Sequence, residues 1–376
     1  MNILFISPSI QDWQNGIFYH RIHQPSIALA KRGHAVKILV LGSSTAEQMI
    51  NWCDVAIFGR TYHPDLHPLN LLRQFKAKGK RVIWDFDDDF WQVSKDNPSN
   101  LVSNTFKDQY EGFIREADAL ITPSKVLISK ARRLVKNKEV HLAPNGINYD
   151  VYQERPHAHK ELIIGWAGAS SHWKDLQLIT KPIIALQKKY KNAFILYGII
   201  GGPIESEMFI YREYLSRNTM PEKNPFFKEA LEWWDAMHEL NVYPHIPAHV
   251  PFYTPFMHPG KLSLLDFDIG LAPLQDTEFN RGKSCIKFYE YASVGTVTLT
   301  SDVLPYKDEV TYRAKNTEKD WHDKLERLIV DIPFREKLLK EQQAWVKEHR
   351  SLEAIGLTWE LALQRKGGLP VLNQQK

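Results

Sequence analysis

The chain has 376 residues, 43% of them hydrophobic and 24% charged, and its 12% aromatic content includes 11 Trp. This composition excludes disorder over most of the length, and at about 150 residues per domain the length predicts two α/β domains of ordinary size. With 48 Lys+Arg against 44 Asp+Glu the net charge is +4, too small by itself to argue for a polyanionic partner.

Short aliphatic and β-branched runs alternate with amphipathic stretches, which is the pattern of strands and helices around parallel sheets. A first series of strands is predicted at Ile3–Ser7, Ala35–Leu41, Val55–Phe58, Arg81–Asp85, Ala119–Thr122 and Val140–Ala143, with helices at His20–Lys31, ending at Gly33, and Ser124–Val135. A second series follows at Leu162–Ala167, Ala193–Ile199, Val250–Tyr253, Ile269–Ala272 and Val297–Leu299. Pro144-Asn145-Gly146-Ile147 and the polar stretch to Lys160 read as a turn and linker, which puts the boundary near residue 153. Residues 201–248, rich in aromatics and charges, fit no strand and predict a helical insertion. After Thr317 the spacing of Leu325, Leu328, Ile329, Leu338 and Leu339 predicts helix to about Arg365. The fold class is therefore α/β, two Rossmann-like doubly wound units in tandem with a cleft between them.

The longest uncharged apolar runs, Asn2–Ile10 and Phe194–Ile204, reach about half the length of a bilayer span, so no transmembrane helix is expected. Met1-Asn2-Ile3-Leu4-Phe5 enters a strand directly without a basic leader, and a cytoplasmic protein with no cleaved signal is the expectation. Cys53 and Cys285 make neither a disulfide framework nor a four-thiolate zinc site. His20, His23, His172 and His258 lack metal spacing. The absence of a Gly-x-Ser-x-Gly elbow and of a Walker loop argues against a hydrolase or a P-loop ATPase.

Four segments can carry chemistry at the carboxyl ends of the strands. Asn15-Gly16, after the first strand, either brings backbone amides toward a phosphate or is an ordinary turn. Gly165 to Lys174 combines small residues around Gly168 with the cation of Lys174, against the alternative of a tight turn with a solvated lysine. In Thr277 to Gly295, Gly282 opens a helix near Ser284, so first-turn amides and the charges of Arg281 and Lys283 suit a diphosphate. Glu290, about two turns on, can accept both hydroxyls of a ribose or simply be solvated. Asp85, Asp87, Asp88 and Asp89 crowd one strand end and allow three readings: a metal-binding Asp-x-Asp, contact with sugar hydroxyls, or a solvated loop.

Val140 to Ile147, Gly165-Trp166-Ala167-Gly168, and Leu271-Ala272-Pro273-Leu274 through Lys287 to Gly295 resemble the retaining GT-B glycosyltransferases of the glycogen-synthase-like and mannosyltransferase-like group, of family-four type. Asp87-Asp88-Asp89 with Asn97-Pro98 also resembles a branch of that group common in bacterial and phage gene clusters. The resemblance implies an acceptor-binding domain of residues 1–152 plus about 351–376, completed by a last helix that crosses back, and a nucleotide-sugar-binding domain of 153–350. It further implies a metal-independent, retaining transfer with no cofactor beyond the nucleotide-diphosphate sugar as co-substrate. In such a transfer the departing phosphate oxygen takes the acceptor proton.

By that resemblance Glu290 matches the second Glu of the family's Glu-x7-Glu pair and holds the ribose, while the first falls at Gly282, leaving Glu278 as a candidate replacement. Ser284, Cys285 and Ile286 occupy positions whose amides meet the sugar and phosphates. The basic residues after the first strand of the second domain would be His172 and Lys174, with Lys283 and Arg281 as substitutes. Asp87, preferred to Asp85, would face the donor sugar, Gly16 the phosphates, and Tyr19, Arg21 and Asp88 the acceptor.

Two basic runs, Arg73 to Arg81 and Lys125 to Lys138, fall in the first domain and suit anionic lipid, nucleic acid or plain solvation. Tyr211, Tyr214, Phe226, Phe227, Trp233 and Trp234 in the insertion can stack on sugars or bases, or pack on their own domain. Three functions stay open: transfer, with UDP-sugar as the expected donor, to a saccharide or lipid-linked saccharide, with peripheral membrane contact; transfer to hydroxymethylated bases of duplex DNA; and a silent nucleotide-sugar-binding protein.

Overall fold

A computed structural model describes residues 1–7, 16–60, 67–93, 106–136, 138–154, 161–168, 172–197, 256 and 258–364. The first sheet contains β1 (Asn2–Ser7), β2 (Ala35–Val40), β3 (Val55–Phe58), β4 (Arg81–Asp85), β5 (Ala119–Thr122) and β6 (Glu139–Leu142), all parallel in the order β2-β1-β3-β4-β5-β6. The second contains β7 (Ile163–Ala167), β8 (Ala193–Tyr197), β9 (Ile269–Ala272), β10 (Val297–Ser301) and β11 (Arg313–Ala314), parallel in the order β11-β10-β9-β7-β8. Helices cover both faces of such sheets, so the strands read as apolar runs rather than alternating ones. Every residue of β3, β4, β7, β9 and β10 is buried.

Strand order reverses beside β1 in the first sheet and beside β7 in the second. The crevice outside the carboxyl end at each reversal is where a doubly wound sheet takes a ligand. The predicted strand Val250–Tyr253, the insertion at 201–248 with its six aromatics, and residues 365–376 lie outside the described residues. β11 was not expected, because two residues carry no periodicity. The helix expected from His20 is more elaborate: Gly16–Phe18 leads through a π-helical stretch, Tyr19–His23, into Gln24–Lys31. Pro25 has no N–H to continue the ladder, and the chain reaches it through a wider turn in which the Gln24 amide bonds the Tyr19 carbonyl.

Helices Glu318–Val330, Ile332–Arg350 and Leu352–Leu363 follow the second sheet. The last packs on the first sheet: Leu352, Ile355, Trp359 and Leu363 share one core with Ile3, Phe5 and Ile57. Burial of each of these side chains contributes roughly 1.5–3 kcal/mol. The crossing is fixed by main-chain bonds, with the Ile147 amide donating to Arg350 at 2.7 Å and the Leu352 amide to Ile147 at 3.1 Å. The Trp359 indole adds a bond to the Pro144 carbonyl at 2.9 Å. Among the described residues no helix is long and apolar enough to cross a membrane.

Candidate functional site

The carboxyl ends of the two sheets face one another across a cavity of about 190 Å³. Gly16, Arg21, Asp87 and Asp88 line it from the first sheet, and His172, Lys283, Ser284 and Lys287 from the second. Two hydrogen bonds join the two sides beside it. Asn145 Nδ2 donates to Ser284 Oγ at 2.9 Å, and Ser124 Oγ donates to the Gly282 carbonyl at 2.9 Å. The same Ser124 hydroxyl accepts the Leu127 amide as a helix N-cap.

On the first-sheet side three cations are distributed over the four acidic residues. Arg21 grips Asp85 with two bonds of 2.8 and 2.7 Å, both side chains buried. Arg60 reaches Asp88 at 2.5 Å and Asp87 at 3.4 Å, and Lys130 pairs with Asp89. This overturns the solvated-loop reading of the cluster. Three cations face four carboxylates, and Asp87, which shares Arg60, carries the deficit. Burial pushes its carboxyl up to about 6, against the pull of Arg60 and with repulsion from Asp88 and Asp85. Its Oδ1 is buried and has no hydrogen-bond partner among the described residues. Such an oxygen costs roughly 1–3 kcal/mol until a donor reaches it.

The second-sheet side is a helix N-terminus. The Lys283 amide donates to Asn280 and the Phe288 amide to Cys285. The four amides between them, from Ser284 to Lys287, have no acceptor among the described residues and open the Ile286–Ser293 helix. Four orphan donors and a dipole end make an anion site. Lys283 lies over the Phe279 ring at 4.7 Å and Lys287 over the Trp166 ring at 5.3 Å. His172 Nδ1 bonds Asp175 at 2.7 Å, and Asp175 accepts from the Gln275 amide and from Asn280. Burial, with Lys287 beside it, pulls His172 down to about 4. The ring is neutral at pH 7, its Nδ1 proton is held by Asp175, and Nε2 is left as an acceptor.

Glu290 lies behind His20 and does not line the cavity. Its Oε1 accepts from the Tyr152 hydroxyl at 2.8 Å and is 3.4 Å from His20 Nε2 and 3.3 Å from His258 Nε2. Burial opposes ionisation here, but His258 and His20 together hold the carboxyl well below the usual carboxylate range. Tyr19, on the same layer, packs edge-on against Phe256 at 5.5 Å.

Of the residues singled out from sequence, Gly16, Arg21, Asp87, Asp88, His172, Lys283, Ser284 and Ile286 meet at the cavity. Others do not. Arg281 turns outward to Asp276, with bonds of 2.7 and 3.1 Å. The Cys285 side chain points into the core, its thiol on the Pro305 carbonyl at 2.7 Å. Burial pushes that thiol up, and Cys285 is outside the lining. Lys174, Gly168, Tyr19 and Glu290 are outside the lining. Arg21 reaches the lining, but four of its five N–H donors are taken by Asp85, Ala143 and Asn145. It is a strut rather than an open ligand contact. Neutral His172 is likewise no cation for a phosphate. Sequence reasoning missed Arg60, which no motif marks, Asn145, read as part of a turn, and Lys287, which stood in the quoted motif one turn after Lys283. Among the described residues no group of three His, Cys, Asp or Glu is arranged to hold a metal ion.

No protein-family model and no curated protein matches the sequence. Among solved structures, the chain is similar to sucrose-phosphate synthase from Thermosynechococcus elongatus, with a TM-score of 0.63 and 12% identity over 96% of this chain and 98% of that one. It is similar to Anabaena HepE in complex with UDP-glucose, with a TM-score of 0.62 and 10% identity over 96% and 99%. It is also similar to an alpha-glucosyltransferase in complex with UDP-glucose and DNA containing an abasic site, with a TM-score of 0.62 and 13% identity over 96% and 99%. The fold is therefore GT-B, two Rossmann-like units facing across a cleft with the C-terminal helix crossing back.

Proposed function

We propose that the chain is a glycosyltransferase that moves a sugar from a nucleoside-diphosphate sugar to a hydroxyl acceptor with retention of configuration. The observation that carries this reading is one cavity lined both by the helix start whose amides from Ser284 to Lys287 have no acceptor among the described residues and by Asp87, whose Oδ1 has no hydrogen-bond partner among them. The first suits the charge of a leaving diphosphate, and preorganised donors in a water-poor cleft are the strongest term in such catalysis. The second suits a sugar hydroxyl. Neutral His172, an acceptor by its Asp175 bond, suits another hydroxyl of that sugar. At about 4 its basicity is too low for proton abstraction near pH 7, so the departing phosphate oxygen takes the acceptor proton.

UDP is the nucleotide of choice, because HepE and the alpha-glucosyltransferase were solved with UDP-glucose. Residues 153–350 would bind the donor, with Glu290 on the ribose once His20 moves aside, and residues 1–152 with the last helix the acceptor. No metal is needed in this scheme, since Arg21, Arg60 and Lys130 already pair with Asp85, Asp88 and Asp89 and leave only the Asp87 charge uncompensated. The acceptor is a saccharide or a lipid-linked saccharide handled in the cytoplasm. One observation favours duplex DNA as a second reading: Arg132, Arg133 and Lys136 are exposed together at one helix end, and one structural neighbour holds DNA.

Donor hydrolysis and thermal shift across uridine, guanosine, adenosine and cytidine diphosphate sugars test the proposal, each with and without chelator and hydroxymethylated duplex DNA. A chelator-insensitive stabilisation and turnover by one donor supports it, and stimulation by DNA selects the second acceptor. Binding without turnover, in line with Gly282 at the family's Glu position, would reduce the chain to a nucleotide-sugar-binding protein. No response to any nucleotide would end the proposal.

A further inference from the structure

Of the basic residues expected at the phosphates, Lys283 lines the cleft, but His172, Lys174 and Arg281 do not supply it with a cation. His172 is neutral, Lys174 is outside the lining, and Arg281 is bound to Asp276 at the surface. Lys287 does line it. Its ammonium is stacked over the Trp166 ring at 5.3 Å and has no carboxylate within salt-bridge distance among the described residues. Trp166 is fully buried, so the platform beneath the ammonium is rigid. Gly168 leaves the space for it: a Cβ there would lie 2.7 Å from Lys287 Nζ and 2.6 Å from the Trp166 ring. Lys287 therefore stands at the first turn of the helix whose orphan amides face the cavity, one turn from Lys283, in a slot that only glycine at 168 keeps open.

We propose that Lys287 is the principal cation for the leaving diphosphate, seated on Trp166 in the space left by Gly168. This rests on the nucleotide-sugar reading for its ligand, but the anion site itself can be tested apart from it. A partly buried ammonium without a counter-ion is costly, and a diphosphate held by the Ser284 to Lys287 amides removes that cost. Burial, Glu290, Lys283 and Asp175, in that order of weight, set the Lys287 ammonium at about 8, below its ordinary value. The charged or titratable groups around it are Lys283 and Glu290 on its own side, and His172 and Asp175 on the element against it. Between about pH 7 and 9 an empty site loses this proton, and a bound anion must restore it.

Calorimetric titration of the full chain with inorganic pyrophosphate, UDP and uridine, in wild type, Lys287→Met, Lys287→Arg and the charge control Lys188→Met, tests this. Expected are a loss of tenfold or more in pyrophosphate and UDP affinity for Lys287→Met, unchanged uridine binding, and wild-type behaviour of Lys188→Met. Wild-type UDP affinity should fall between pH 7 and 9, and Lys287→Arg should flatten that fall. Equal UDP affinity in Lys287→Met and wild type overturns the proposal, as does an equal loss for uridine, which would mark Lys287 as structural. Pyrophosphate binding that depends on Lys287 with no UDP binding would keep the anion site and overturn the nucleotide-sugar reading instead. A wild type that binds neither overturns both.

Discussion

Asn145 joins the two halves of the cleft: its Oδ1 accepts from Arg21 at 2.8 Å while its Nδ2 donates to Ser284 Oγ at 2.9 Å. One amide thus connects the buried Arg21–Asp85 pair to the helix start that carries the orphan amides. Asn145→Ala leaves Arg21 and Ser284 each short of a partner, and about 1–3 kcal/mol of stability should be lost. Asn145→Asp keeps both links, because the Ser284 hydroxyl can donate where it formerly accepted. Urea denaturation should rank wild type and Asn145→Asp well above Asn145→Ala. Equal midpoints for Asn145→Ala and wild type would remove the strut.

How much of this was legible in the sequence follows from the range of each interaction. Strands such as Val55–Phe58 and Ile269–Ala272 were readable because burial on both faces makes them uninterrupted apolar runs. The helix start after Gly282 was readable because turn residues are local signals. Arg60, by contrast, acts on Asp87 and Asp88 across two strands, and its position carries no period or motif. Asn145 is linked to Ser284 over 139 residues, and its turn-forming character hid that. Four adjacent carboxylates suggested a metal, a sugar contact or open solvent, and ion pairing from three distant cations was not among the readings. The order Arg21–Asp85, Arg60–Asp88 and Lys130–Asp89 exists only after the sheet is assembled.

Glu290 should matter to nucleotide binding although the cavity does not reach it in the empty protein. Glu290→Ala is expected to weaken nucleotide affinity by about 1.5–3 kcal/mol, the scale of charged hydrogen bonds. The same carboxyl contributes to acid stability. Its folded value lies below the unfolded one, so its contribution is fully present above about pH 4.3 and is lost as pH falls through the folded value. Glu290→Gln should therefore unfold at a lower urea concentration than wild type at pH 7, and the difference should narrow as pH is lowered below about 4.3. Unchanged nucleotide affinity in Glu290→Ala would take it out of the site.

Chelation should leave turnover intact. A metal-binding Asp-x-Asp needs carboxylate oxygens facing the ligand without cations of their own, and here Arg60 lies 2.5 Å from Asp88 while Lys130 holds Asp89. A divalent ion would have to displace both. The check is turnover of the preferred donor after exhaustive dialysis against chelator, with magnesium or manganese added back. A recovery of tenfold or more on adding either ion would reverse the assignment.

Asp87 is expected to work in transfer rather than in nucleotide binding. Asp87→Asn should keep UDP affinity within about twofold, since the amides from Ser284 to Lys287 lie across the cleft, and should lower turnover by roughly the 10²–10³-fold seen when one preorganised transition-state contact is lost. The pH dependence has a definite sign. With a folded value of about 6 against about 3.9 unfolded, the native state binds more protons between these limits. Turnover should therefore fall below pH 6, while the folded protein gains stability over the same interval as pH drops toward 4. Above pH 6 the buried, ionised Asp87 is a standing cost, and Asp87→Asn should be the more stable protein at pH 7, by on the order of 1–3 kcal/mol. Stability sacrificed at a carboxylate whose Oδ1 has no partner among the described residues is what a waiting ligand contact requires. An Asp87→Asn protein with normal turnover, or one less stable than wild type at pH 7, would assign the carboxylate to the fold instead.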